Sequence, residues 1–238
     1  MSKRAVILAG GKGTRLRPYT IVLPKPLVPI GDYPILEIII KQLVHAKFDH
    51  ITITVNHQAD LIKSYFGDGQ KWGIKIDYSL EEKPLSTMGP LSLINDLPAN
   101  FLVMNGDILT DLNYSNFYEN HVSTKAIFTV SSYAREHVNL YGVLDVNEQN
   151  QLVDFKEKPV SRFEVSMGVY MLSAEILNFI PYNESYGFDQ LMLDLIHSKR
   201  FPNVLKFSGF WLDIGRPDDY TQATEEFEKH KDLFLKNE

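Results

Sequence analysis

Hydrophobic positions along the chain fall into short blocks whose spacing switches between two periods. Arg4–Ala9 is a compact apolar run that stops at glycine, the pattern of a strand buried on both faces. Ile35–Val44 is apolar at 35, 36, 38, 39, 40, 43 and 44, too broad for one exposed stripe, and predicts a mostly buried helix entered through Pro34. Ile51–Val55 is β-branched and alternating, so a strand; Gln58–Phe66 reads as a helix stopped by Gly67-Asp68-Gly69. Ile74–Tyr78 and Phe101–Met104 are further strands, with a short helix over Thr87–Asn95 between them. Strands alternating with helices predict right-handed βαβ units and a mostly parallel sheet.

The second half changes style. Lys125–Ser131, Tyr141–Val146, Gln151–Phe155 and Glu164–Met171 read as strands, with a hairpin turn at Asn147–Asn150. Helices are expected near Ala174–Phe179 and Phe188–His197, and a last one runs from Pro217 into a charged tail, where Glu225–Lys236 forms an exposed face with i,i+4 pairs. No linker, repeat or low-complexity stretch interrupts the pattern. The expectation is an α/β chain, 1–238, forming one domain, with a parallel first half and a more antiparallel second half on a shared core.

Composition narrows the chemistry. The chain has 238 residues, no cysteine and a net charge of −6 from 24 Lys+Arg against 30 Asp+Glu. Without thiols, disulfide scaffolds, thiolate zinc sites, iron–sulfur clusters and cysteine nucleophiles are excluded. The histidines at 45, 50, 57, 121, 137, 197 and 230 show no His-x-x-x-His spacing. An acidic chain is not a general nucleic-acid binder, and the aromatics at Phe207, Phe210, Trp211 and Tyr220 read as core rather than as a stacking platform. The first apolar run is too short for a signal peptide or a membrane span, so a soluble cytoplasmic protein with no membrane partner is expected.

Positive charge must therefore be gathered locally if the ligand is anionic. Leu8-Ala9-Gly10-Gly11-Lys12-Gly13-Thr14-Arg15-Leu16-Arg17 comes directly after the first strand, where open α/β sheets bind ligands. Glycines there let backbone amides approach phosphate oxygens, and Arg15 can clamp a phosphate in bidentate fashion. The same residues also suit a plain glycine-rich turn. The segment is not a dinucleotide fingerprint, because Leu16 stands at the last glycine position, nor a Walker loop, because Gly13 comes after Lys12. Farther on, Pro24-Lys25-Pro26 holds a lysine between two prolines, either as a fixed cation for phosphate charge or as an exposed loop lysine.

Leu8 through Arg17 with Pro24-Lys25-Pro26 beyond it resembles the signature of the sugar-1-phosphate nucleotidyltransferases, or NDP-sugar pyrophosphorylases. The chain is most similar in style to the mannose-1-phosphate guanylyltransferase-like branch. Tyr65-Phe66-Gly67-Asp68-Gly69, Asn105-Gly106-Asp107, Glu157-Lys158-Pro159, Gly168-Val169-Tyr170 and Trp211-Leu212-Asp213-Ile214-Gly215 occur in that family's order.

The resemblance implies a Rossmann-like three-layer nucleotide-diphospho-sugar transferase fold, with a nucleotide-binding half over 1–112 and a sugar-binding half over 113–238. It implies an NTP and a sugar 1-phosphate as substrates, in-line attack on the α-phosphorus, and Mg²⁺. It makes Arg15 and Lys25 catalytic and places Leu8, Gly10, Gly11, Gly13, Thr14, Glu81, Met88, Gly89 and Asp107 at the nucleotide. Gly142, Glu157, Lys158 and Ser166 fall to the sugar phosphate, and Asp107 and Asp213 to the metal. Taken alone, Asp107 also suits an Asn-Gly-Asp turn, Asp213 a helix-approach cap, and Glu157-Lys158 a solvated loop. The chain is expected to lack the long C-terminal extension common in this family, and a homodimer is the assembly considered.

Two departures from the family pattern bear on substrate. Glu81 stands where relatives that use uracil or thymine nucleotides carry glutamine. A carboxylate offers only acceptors, which match the N1–H and N2–H donors of guanine. A one-residue slip would put Glu82 there instead, and cytosine N4 is also a donor. Met88 in Ser86-Thr87-Met88-Gly89 is expected to pack on the base or crowd it. Ser166 replaces a longer asparagine, which points to an acceptor other than a plain hexose.

Overall fold

The structure, a computed structural model, describes residues 2–56 and 58–235; His57 and the Lys236 end of the expected helix face lie outside the described residues. The strands are β1 Arg4–Leu8, β2 Pro29–Ile30, β3 Tyr33–Pro34, β4 His50–Val55, β5 Lys75–Leu80, β6 Asn100–Asn105, β7 Ile108–Thr110, β8 Phe128–Val138, β9 Val143–Val146, β10 Leu152–Lys156, β11 Val160–Ser173, β12 Asn203–Phe207 and β13 Trp211–Asp213. The α-helices are α1 Ile35–His45, α2 Ala59–Phe66, α3 Tyr114–Thr124, α4 Phe188–His197, α5 Pro217–Lys229 and α6 Lys231–Phe234.

Seven strands form the central sheet in the order β12-β8-β11-β6-β1-β4-β5. β1 lies between β4 and β6, parallel to both, and β4 is parallel to β5. β11 is antiparallel to β6 and β8, whereas β12 is parallel to β8. The main sheet thus has a single reversed strand. The expected antiparallel character of the second half is confined to β11, the β9–β10 hairpin and the short β13–β7 pair.

Side-chain alternation on the central strands makes the three layers. Ala5, Ile7, Leu102 and Met104 point into one core with Ile35–Ile40 of α1, Ile62 and Phe66 of α2, Phe117 of α3 and Phe227 of α5. Val6, Phe101 and Val103 point into the opposite core with Leu91, Ile176, Leu191 and Leu195. The wide apolar arc of α1 is buried at seven of its eleven positions, Glu37 included. The Glu37 carboxylate accepts the Tyr65 hydroxyl at 2.6 Å, and burial together with that contact pushes the Tyr65 hydroxyl up to about 12. Phe207, Phe210, Trp211 and Tyr220 pack against the first core, as expected.

Several elements differ from the expectation. α3 has weak apolar periodicity, and the hydrophobic pattern predicts no helix there; Asn113 starts it by accepting the Asn116 amide at 3.0 Å. Lys125 ends α3 in left-handed conformation, so the next strand begins at Phe128. The segments expected as helices over Thr87–Asn95 and Ala174–Phe179 are 3₁₀ turns, at Gly89–Leu93 and Ala174–Phe179. The last helix breaks at His230 into α5 and α6.

Beyond the sheet edge, residues 134–138 of β8 and 160–164 of β11 continue as an exposed two-stranded arm. It carries the β9–β10 hairpin, closed by Asn147–Asn150, with the Asn147 amide donating to the Gln151 carbonyl at 3.1 Å.

Candidate active site

The parallel register brings three strand ends together. Leu8 at the end of β1 sits opposite Thr54 of β4 and Asn105 of β6. The loops leaving these three strands open on the same edge, the crevice where open α/β sheets bind ligands. A cavity of about 470 Å³ lies there, walled by Leu8, Gly10, Gly11, Lys12 and Arg15, by Thr54 and Asn56, by Glu81 and Pro84–Thr87, and by Asn105 and Asp107.

The glycine loop is tightly organised. Gly13 adopts φ +61°, and a Cβ there would meet Thr20 and Lys25 side-chain carbons at 3.0–3.3 Å. The Gly13 carbonyl accepts both the Thr20 hydroxyl at 2.7 Å and the Leu16 amide at 3.0 Å. Gly13 therefore shapes the turn that brings Lys25 back toward the cleft. Thr14 and Arg15 begin a short 3₁₀ turn that Leu16 anchors in the core. Gly10 faces the cleft directly, and a Cβ on it would come within 2.5 Å of Glu81 Oε1.

Lys25 forms an ion pair with Asp107 Oδ2, while Asp107 Oδ1 is buried with no hydrogen-bond partner. Asp213 joins this pair although it lies far away in sequence. β13 runs antiparallel to β7 with Asp213 opposite Ile108, and the Ile214 amide donates to the Asp107 carbonyl at 3.0 Å. Asp213 is exposed, yet its carboxyl sits above the usual carboxylate range. The protein packed around it raises it first and the Asp107 charge second, while Lys25 and Arg15 pull it down. Two carboxylates and two cations thus share one electrostatic cluster at the cleft.

That donor set fits Mg²⁺. The unpartnered, buried oxygen of Asp107 and the neighbouring Asp213 supply two carboxylates, the number this ion combines with substrate phosphates and water. Among the described residues no group of three or more His, Cys, Asp or Glu side chains forms a denser metal cage.

Glu81 is almost fully buried, at 6% exposure, in the wall facing the glycine loop. Its Oε2 accepts the Leu85 amide at 3.4 Å and its backbone amide donates to the Val55 carbonyl at 2.8 Å. Burial raises its carboxyl above the usual range, and hydrogen bonds from the Leu85 amide and the Thr54 hydroxyl only partly oppose this.

Of the expected nucleotide residues, Leu8, Gly10, Gly11, Arg15, Glu81 and Asp107 line the cavity. Met88 does not reach it: its side chain is fully buried in the second core, so it neither stacks on nor crowds a base. Gly89 packs against the backbone of Glu184 and Tyr186, where a Cβ would come within 2.4 Å of the Glu184 carbonyl. Gly142, Glu157 and Lys158 lie together on the exposed arm, with Glu157 Oε2 3.2 Å from a Cβ at Gly142, and they do not line the cavity. Ser166 shapes the β11 bulge. Its hydroxyl contacts the Tyr170 hydroxyl at 3.1 Å and accepts the Gly168 amide at 3.3 Å.

Lys12, Thr54, Asn56, Pro84, Ser86, Thr87 and Asn105 are wall residues that sequence reasoning does not single out. Asn105 belongs to the Asn-Gly-Asp motif; Thr54 looks like an ordinary β-branched strand residue and carries no signal. A separate cavity of about 360 Å³ beside α1 and the start of α3 shares no lining residue with this one.

A doubly covered, mostly parallel α/β sheet carries a glycine loop, two cations and two carboxylates at its strand ends, and the chain belongs to the nucleotidyl transferase family, whose pattern matches residues 4–230. It is 33% identical to the UTP–glucose-1-phosphate uridylyltransferase of Synechocystis sp., over 92% of this chain and 62% of that protein. It is 31% identical to the D-glycero-α-D-manno-heptose 1-phosphate guanylyltransferase of Aneurinibacillus thermoaerophilus, over 95% of this chain and 99% of that one. The mannose-1-phosphate guanyltransferase of Yarrowia lipolytica is 30% identical, over 93% and 63%. The chain therefore spans a little under two thirds of the Synechocystis and Yarrowia proteins and nearly the whole of the Aneurinibacillus one. Among solved structures, HddC from Yersinia pseudotuberculosis complexed with GMP-PN superposes with a TM-score of 0.72 at 27% identity, over 94% of this chain and 99% of that one. A putative glucose-1-phosphate thymidylyltransferase from Bacillus anthracis, 21% identical with a TM-score of 0.76, has the same fold.

Proposed function

We propose that the protein transfers a guanylyl group from GTP to a sugar 1-phosphate, giving a GDP-sugar and pyrophosphate. The observation that carries the base assignment is the buried Glu81 carboxylate in the cavity wall opposite the glycine loop. It presents acceptors where guanine has two donors, whereas uracil would turn its carbonyl oxygens toward it. The likeness to two guanylyltransferases and to a structure holding GMP-PN supports the same base.

The reaction needs no covalent intermediate on the protein; position and charge supply the rate. Glycine-loop amides cradle the triphosphate. Arg15 and Lys25 take up charge on the α-phosphate and the leaving pyrophosphate. Asp107 and Asp213 would hold Mg²⁺, which when bound would supply Lewis-acid charge to the phosphates. The residues before 113 form the nucleotide half. Beyond them the arm brings Gly142, Glu157 and Lys158 to the sugar phosphate, as the family resemblance implies. The protein is taken to act in the cytoplasm.

Uridylyl transfer is the second reading, favoured by the 33% identity to the Synechocystis enzyme. Pyrophosphate release measured with GTP, CTP, UTP, dTTP and ATP, each crossed with a panel of hexose and heptose 1-phosphates, separates the two. GTP is expected to lead, and Glu81→Gln to erase that lead. An unchanged base preference in Glu81→Gln overturns the assignment.

A further inference from the structure

We propose that two copies of this chain pair through the exposed arm, and that each copy thereby steadies the acceptor residues of the other. The second clause rests on the acceptor reading above; the pairing does not. Strand alternation defines the face. Across β9 and β10, Leu144 sits opposite Phe155 and Val146 opposite Leu152, so these four share one face, while Asp145, Asp154 and Lys156 share the other. A hairpin charged on one face and apolar on the other has the pattern of one covered on the apolar side. Yet these four side chains are 48–59% exposed. Val138 and Val160, directly paired at the outer end of the β8–β11 ribbon, are exposed as well, and so are Leu140, Tyr141 and Phe163. Side chains of these kinds at such exposures present on the order of 1,000 Å². Each side of a stable protein interface takes about 800 Å².

Charge selects the occupant. Asp145 stands directly opposite Asp154, a repulsive pair. Lys156 reaches Asp154 at 3.6 Å, and Asp145 has no ion pair among the described residues. At the foot of the arm, Glu136 pairs with Arg162 at 2.8 Å and Glu164 with Lys206 at 3.6 Å. Arg135 there lies over the rings of Tyr133 and Trp211 and has no carboxylate partner among the described residues. The tip thus carries an unmatched acid and the foot an unmatched base. Up to about 30 Å of extended chain separates them, so one arm does not join them. Two arms lying antiparallel about a two-fold axis bring each tip to the other's foot, and one patch serves both copies, as a closed dimer requires.

The covered face backs the acceptor loop. A Cβ on Gly142 would come within 2.6 Å of the Phe155 ring and 3.2 Å of Glu157 Oε2. Phe155 of the apolar face therefore packs beneath the residues that the acceptor reading places at the sugar phosphate. Covering Phe155 fixes that loop, whereas a bare ribbon leaves it free to sway.

Sedimentation velocity of the full chain over a wide concentration range tests the pairing, and KM for each substrate tests its consequence. The wild-type chain is expected to be a dimer. Leu144→Ser combined with Leu152→Ser is expected to weaken it at least about tenfold. The same variant is expected to raise the sugar-phosphate KM about tenfold and leave the NTP KM unchanged. Asp145→Arg is expected to weaken the dimer, and adding Arg135→Asp to restore it, which a merely destabilised hairpin would not do. A wild-type chain that stays monomeric at every concentration overturns the pairing and leaves the arm to close on its own chain. A dimer that both the apolar and the charge variants leave intact also overturns it, by placing the interface elsewhere. A weakened dimer with a wild-type sugar-phosphate KM strikes the acceptor reading instead and leaves the pairing standing.

Discussion

Replacing Asp107 by asparagine separates chemistry from stability, because the side chain sits between opposing charges. Lys25 contacts its Oδ2 and Asp213 lies beside it, with the two partners only 12% and 20% exposed at Lys25 and Asp107. A contact ion pair in such a place has a gross attraction of about 4 kcal/mol at an effective dielectric near 20. Repulsion between neighbouring carboxylates is of the same order and opposite sign. Asparagine keeps the shape, removes both terms and leaves Lys25 facing Asp213. The folded chain is therefore expected to change by only about 1 kcal/mol, a melting shift of about 2–4 °C for a protein of this size. Turnover behaves differently. Asp107 carries the unpartnered buried oxygen that would hold Mg²⁺, and loss of one preorganised electrostatic group lowers kcat by about 10²–10³. Pyrophosphate release under saturating substrates reads the rate, and a thermal melt with and without Mg²⁺ and nucleotide reads the binding. The expected pattern is a near-wild-type melting temperature for the free chain, no added stabilisation from Mg²⁺ with nucleotide, and turnover at least about 10²-fold down. Activity within tenfold of wild type would refute the metal assignment. A melting temperature depressed by more than about 10 °C would refute the charge balance.

Other consequences are as direct. Gly168 adopts φ +74° in the β11 bulge, and a Cβ would come within 2.7 Å of Asn105 Nδ2 and 2.9 Å of Ile108 Cδ1. Gly168→Ala should therefore lose about 2–4 kcal/mol in denaturant unfolding from strain and overpacking, and raise the nucleotide KM through Asn105. Glu81 titrates above its ordinary value in the folded chain, so stability falls as pH rises through that window, and the penalty persists above it. Glu81→Gln should melt higher than wild type at neutral pH and lose the advantage in acid; a lower melting temperature at neutral pH would contradict this. The same raised carboxyl must be charged to accept guanine donors, so the GTP KM should climb as pH falls through its titration while the KM for the sugar phosphate stays flat. Lys158→Met should raise the KM for the sugar phosphate about tenfold or more and leave the NTP KM unchanged; equal changes in both would remove the arm from the acceptor site.

Local pattern makes much of the molecule legible. The glycine run ending β1, the buried arc of α1, the Asn147–Asn150 turn and the proline-bracketed Lys25 are readable because turn chemistry and amphipathic period act within a few residues. α3 escapes notice because only Tyr114, Phe117 and His121 are buried on an otherwise polar helix. Met88 looks like a base contact because a sequence motif does not say which face of the sheet a side chain takes; the structure buries it in the second core. By itself the sequence determined the class of fold, the glycine loop and the proline-bracketed lysine beyond it, since strand period and glycine freedom are local properties. Only the tertiary structure decided that Asp213 meets Asp107, through the β13–β7 pair, and that Leu8, Thr54 and Asn105 end side by side at the cleft, through the parallel register of β1 with β4 and β6. Such meetings depend on strand order and pairing across long loops, and no local spacing encodes them.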